Sequence, residues 1–159
     1  MYGERCNFMK AIILTWAHLS DFEKDLIKQT DIFKIALNHH GKELLPDIRI
    51  ITDYVLENIM KNCPEKIISV RDSLRYYSDR VEYCNVVFKG STIVAAIEYL
   101  IGKKYSEILI IGDNSVHSEV FRNEIKAEID KLIQKVKIYQ YSDGNFNLPV
   151  KTVRDFITE

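Results

Sequence analysis

The feature that most constrains this chain is a set of short aliphatic runs without polar alternation. Lys10-Ala-Ile-Ile-Leu-Thr-Trp16 and Ile108-Leu-Ile-Ile111 are the clearest. A strand with one wet face alternates apolar and polar residues, whereas an unbroken run must bury both faces. A parallel sheet covered by helices on each side provides that burial. Further runs at Ile32–Leu37, Ile48–Ile51, Lys66–Val70, Val86–Phe88 and Val136–Tyr141 bring the expected strands to seven.

Helical patterns separate these runs. Ser20 followed by Glu23 reads as a capping box for a helix over Asp21–Gln29. Tyr54–Lys61 fits a helix closed by Pro64, and Gly90-Ser91-Thr92 turns into an apolar helix reaching Lys103. A charged helix is expected over Ser118–Gln134, with Val120, Ile125, Ile129, Leu132 and Ile133 inward, and a short one after Pro149. Arg71–Arg80 has no clear period. Strands alternating with helices predict a three-layer α/β domain with a mostly parallel sheet. At 159 residues, 1–159 reads as one domain with residues 1–9 as a flexible lead-in. The strand order is not legible.

Charge and cysteine content narrow the functional classes. Twenty-two Lys plus Arg against 23 Asp plus Glu leave a net charge of -1, so no nucleic-acid partner is expected. No run is long enough to span a membrane, and no signal-peptide pattern is present. Cys6, Cys63 and Cys84 lack zinc-type spacing and read as small hydrophobes in a reducing, cytoplasmic setting.

Sites in such sheets lie beyond the carboxyl ends of the strands, where the strand order reverses. Three polar strand endings therefore attract attention: Asn38-His39-His40, Thr52-Asp53 and Gly112-Asp113-Asn114. Asp53 and Asp113 can each hold a ribose hydroxyl, bind hydrated magnesium or take a proton, or else satisfy turn amides. Asn114 fits either a base or sugar edge or a cap. Ser91 and Thr92 at a helix start can contact phosphate, with simple capping by Ser91 as the alternative. His18 and His117 lie in loops after strands and can serve as proton acceptors or merely pack there. His39 and His40 have no third ligand in view, so no metal site is expected. Tyr76 and Tyr77 with Arg71, Arg75 and Arg80 form either a cationic rim or a solvated connector.

Ile35-Ala-Leu-Asn38, Leu45-Pro-Asp-Ile-Arg-Ile-Ile-Thr-Asp53, Gly90-Ser-Thr-Ile-Val-Ala-Ala96 and Glu107-Ile-Leu-Ile-Ile-Gly-Asp-Asn114 occur in this order. Together they resemble the motility accessory factor-like proteins and the related Rossmann-like region of bacterial sialyltransferases. The resemblance spans roughly Lys10 to Asn114 and implies a nucleotide or nucleotide-sugar cleft contacted by Asn38, Ser91 and Thr92, with Asp53 and Asp113 nearby. The glycine-rich turn usual after the first strand of that family is replaced by Thr15-Trp16-Ala17-His18-Leu19-Ser20.

The expected function is a small nucleotide-dependent, glycosyltransferase-like transferase acting on a small phosphorylated ligand. Asp113, His117 or His18 would move the proton. Two alternatives stand beside it: a noncatalytic binding or scaffold protein, and a magnesium-assisted pyrophosphoryl transferase using Asp53 and Asp113. A homodimer is also expected, because an open sheet leaves two edges to cover and Val150–Phe156 can shield one of them or pack between subunits.

Overall fold

A computed structural model describes residues 9–38, 40–51, 63–69, 79, 81–84, 91–112, 119–141 and 146–159. Seven strands form one sheet: β1 (Lys10–Leu14), β2 (Phe33–Leu37), β3 (Ile48–Ile51), β4 (Lys66–Ser69), β5 (Val81–Tyr83), β6 (Glu107–Ile111) and β7 (Lys137–Gln140). Their order is β5-β4-β3-β2-β1-β6-β7. All six neighbouring pairs are parallel. The chain builds outward from β1 to β5 and then returns to lay β6 on the other side of β1. The order therefore reverses between β1 and β6.

Four α-helices occur among the described residues: α1 (Asp21–Gln29), α2 (Thr92–Gly102), α3 (Glu119–Leu132) and α4 (Val153–Thr158). Successive side chains of a strand point to opposite faces, and the two faces carry separate cores. Ala11 and Ile13 of β1 join Ile35, Ile110 and the inner faces of α2 and α3. Ile12 and Leu14 face the other way, toward Ile27 of α1 and Phe156 of α4. The runs of β1 and β6 are unbroken because their apolar residues fall alternately into these two cores. The result is the expected three-layer, Rossmann-like arrangement.

Local signals set the helix ends. Ser20 Oγ accepts from the Glu23 amide at 3.2 Å, and the Ser20 amide donates to Glu23 Oε1 at 3.0 Å, completing the capping box. In α3, Ile125, Ile129 and Leu132 are buried as expected. Val120 and Ile133, expected on the same apolar side, are instead 70% and 42% exposed. Val120, five residues before Ile125, falls off the stripe that meets the sheet, and Ile133 lies one residue past the end of α3.

The edge strand after β4 is Val81–Tyr83, pairing with Ile67–Ser69. The run Val86–Phe88 lies outside the described residues, as do the helix expected at Tyr54–Lys61 and the cationic rim of residues 71, 75–77 and 80. At the opposite edge the chain covers itself. The Gln140 amide donates to the Pro149 carbonyl at 2.9 Å and Lys151 donates back to Gln140 at 2.8 Å. Cys63 is buried with Ile51, Ile67 and Val81, behaving as a small hydrophobe. Burial also pushes the Cys84 thiol pKa up, away from a reactive thiolate. Among the described residues, no helix is long and apolar enough to cross a membrane.

Candidate functional site

The reversal between β1 and β6 leaves their carboxyl ends in contact, and a glycine makes that contact feasible. Thr15 donates its amide to the Ile111 carbonyl at 2.9 Å, extending the ladder past the strand. The next residue of β6's loop, Gly112, has φ +107 and sits against the Trp16 backbone. A β-carbon there would lie 2.3 Å from the Trp16 carbonyl oxygen, closer than any real contact. Glycine is thus required both for its left-handed backbone and for the approach.

Beside this junction, β2 ends in Asn38, which adopts φ 50. Asn38 is one of the non-glycine residues that tolerate such a conformation. Its amide still donates to the Ile50 carbonyl at 2.9 Å, while its side-chain Nδ2 donates to Thr92 Oγ1 at 3.0 Å. Two residues 54 positions apart therefore meet at the amino end of α2. Ser91, immediately before, is buried and caps the helix through a long 3.5 Å bond from the Val94 amide. The first turn of α2 contains no acidic residue, whereas that of α1 contains Asp21 and Glu23. The positive end of the α2 dipole is thus not offset by a carboxylate of its own first turn.

The other half of the same turn lines a cleft. Trp16, His18, Lys24, His40, Gly41 and Glu43 are among the residues surrounding about 200 Å³. His18 is exposed and meets the Trp16 ring edge-on, with centroids 4.8 Å apart and planes at 70°. Larger hollows of about 520 and 500 Å³ lie around Tyr105 at the amino ends of the strands. They are open, and the reversal of strand order favours the carboxyl side as the site.

Arg49 of β3 ties the turn to the core. Its side chain is fully buried, and Nε pairs with Glu65 Oε1 at 2.6 Å. Nη1 donates to the Asn38 carbonyl at 2.7 Å and also to the His40 carbonyl, while Nη2 is buried without a hydrogen-bond partner. One guanidinium thus holds both halves of the turn. Glu23 extends the polar network on the α1 side. Burial alone would raise its carboxyl pKa, but hydrogen bonds from Tyr141 and from Ser20 outweigh that and lower it. Burial and the bond to Glu23 in turn push the Tyr141 hydroxyl up to about 12.

Of the residues singled out in the sequence, Asn38, Ser91 and Thr92 are brought together, and His18 lines the adjacent cleft. Asp53, Asp113, Asn114 and His117 lie outside the described residues. No group of three or more His, Cys, Asp or Glu poised to hold a metal occurs among the described residues. Arg49 and Trp16 were missed as parts of this edge, whereas His40 belonged to the polar ending Asn38-His39-His40. A lone arginine inside an Ile-rich strand, as in Ile48-Arg-Ile-Ile51, was the available signal for the first.

No protein-family model matches the chain, and no solved structure matches it significantly. The chain is 24% identical over 135 residues to a probable endoribonuclease YicC of Clostridioides difficile (strain 630). The match covers 84% of this chain and 44% of that protein, so the chain spans less than half of its relative's length.

Proposed function

We propose that the carboxyl edge of the sheet binds a nucleotide or nucleotide-sugar, as the donor of a small glycosyltransferase-like transferase. The observation that carries this reading is the Asn38–Thr92 contact at the amino end of α2, whose first turn has no carboxylate of its own. Helix amides and dipole favour an anion there, and the Asn and Thr side chains add neutral polar groups for a phosphate or sugar. Among the described residues, His18 is the candidate for taking a proton from an acceptor hydroxyl. Imidazole is the side chain suited to that task near neutral pH. Asp113 and His117 share the acid–base role in this proposal, with Asp53 and Asn114 as further nucleotide contacts and Asp53 with Asp113 as holders of magnesium if the transfer needs it.

Calorimetric titration with nucleoside phosphates and nucleotide-sugars tests the site. The native protein binds at least one of them, and Asn38→Ala or Thr92→Val weakens binding about three- to tenfold, the value of one neutral hydrogen bond. A folded protein that binds none at millimolar concentration would refute the proposal. Turnover with a bound nucleotide-sugar separates a transferase from a noncatalytic binding or scaffold protein.

A second reading is favoured by the similarity to the C. difficile protein: the same edge binds the phosphodiester of an RNA. Cleavage of a short RNA that is lost in His18→Ala, with no transfer from nucleotide-sugars, would select it.

A further inference from the structure

Trp16 is the chain's single tryptophan, and it is 57% exposed. Its backbone is nevertheless fixed, with Thr15 bonded to Ile111 before it and Gly112 packed against its carbonyl. A large ring is thus held in one place at the point of strand reversal while much of it stays in water. Its edge contact with His18 makes the two rings adjoining walls of the 200 Å³ cleft, and Lys24, His40 and Glu43 supply hydrogen-bonding groups around them.

That volume is below the roughly 300 Å³ at which sites for whole drug-sized ligands begin. The cleft therefore takes one ring system rather than an entire nucleotide-sugar. An aromatic wall with several polar groups around it matches a flat heterocycle, which stacks by its face and hydrogen-bonds by its edge. His40 lies two residues from Asn38, so their Cα atoms are at most about 7 Å apart. A ring in the cleft thus lies beside the turn that reaches the start of α2.

We infer that Trp16, His18 and the His40–Glu43 segment form a nucleobase subsite, with Trp16 as the stacking platform. The inference rests on the nucleotide reading above for its connection to a phosphate, but the base contact is separately measurable.

Because Trp16 is the single tryptophan, its emission reports on the cleft without a label. The native protein is titrated with uridine and adenosine, their monophosphates, ribose 5-phosphate and pyrophosphate. Free tryptophan amide serves as the control for light absorbed by the bases, and calorimetry runs in parallel. Nucleosides and nucleotides quench Trp16 saturably, at concentrations matching the calorimetric affinity, while ribose 5-phosphate and pyrophosphate do not quench. Trp16→Ala, at an exposed position, lowers nucleotide affinity about 5- to 100-fold and leaves ribose 5-phosphate affinity unchanged. Trp16→Phe recovers most of the loss.

Quenching by ribose 5-phosphate equal to that by nucleotides would overturn the base assignment in favour of a sugar. Nucleotide affinity unchanged in Trp16→Ala, or no quenching by any base, would overturn the subsite altogether. Nucleosides that quench while phosphates add no affinity would uphold the base subsite and overturn the phosphate site.

Discussion

The two ends of the sheet use their polar groups in opposite ways. At the amino end, a buried lysine and a partly buried one close off helices. Lys34 Nζ donates to the carbonyls of Ile27 and Thr30 at 3.0 and 3.2 Å, and Lys10 Nζ donates to that of Phe156 at 2.7 Å. Each charge sits at the negative end of a helix, where it satisfies carbonyls the helix leaves open. At the carboxyl end, Asn38 takes a left-handed backbone, Trp16 stays largely in water and Arg49 keeps one buried nitrogen without a partner. The amino end matches its lysine charges to open helix carbonyls, although Lys104 there also takes φ 71, whereas the carboxyl side keeps an unpaired guanidinium nitrogen and an exposed indole.

Arg49→Met gives the largest effect on this contrast. It leaves the Glu65 carboxylate without its buried partner and releases the turn of Asn38 and His40, at a cost of about 3–5 kcal/mol in urea unfolding. Adding Glu65→Gln recovers part of the loss. A cost below that of an ordinary surface substitution would mean that the guanidinium does not hold the turn.

A paired substitution sharpens the comparison further. Gly112→Ala and Lys34→Met each lower stability by about 1–3 kcal/mol, the first through backbone strain and the second through lost bonds at a helix end. Only Gly112→Ala displaces the Trp16 carbonyl and so shifts tryptophan emission in the folded protein. A matching shift in Lys34→Met would erase the distinction between the two ends.

The smallest effect is in pH dependence, through Tyr141 and Glu23. The Tyr141 hydroxyl titrates near 12 rather than at the ordinary 10, so its contribution is complete below pH 10 and is lost as pH rises toward 12. Glu23 has a lowered value, so its contribution is present above pH 4.5 and is lost as pH falls below that. Tyr141→Phe flattens the melting temperature on both limbs. An unchanged alkaline limb would show that the pair adds nothing to folding.

The sequence made short-range features readable and hid those that depend on distant partners. Ser20 and Glu23 stand three residues apart, and their helix appears over the expected Asp21–Gln29. The β6 run was equally plain, because burial on both faces imposes an aliphatic pattern. Val81-Glu82-Tyr83 was passed over for the more apolar Val86–Phe88, since a three-residue edge strand needs only one buried side chain to anchor it. Asn38 was singled out in a polar strand ending and Thr92 at a helix start, but their contact requires β2 and α2 to be neighbours, which no local pattern states. Arg49 depends on Glu65, sixteen residues away, to neutralise its charge in the interior.

The place of β1 beside β6 also sets an order of events during synthesis. Met9 and Ser106, which bond as the two strands begin, are 97 residues apart. At about 5–20 residues per second, a ribosome needs roughly 5–20 s to make the chain between them. Throughout that interval β1 can pair on its β2 side alone, and its other edge, made almost entirely of Ala, Ile and Leu, is open to any unfinished neighbour. This interior strand of the finished sheet is therefore exposed to aggregation along one edge while the chain is growing, and its protection begins only when Glu107–Ile111 leaves the exit tunnel.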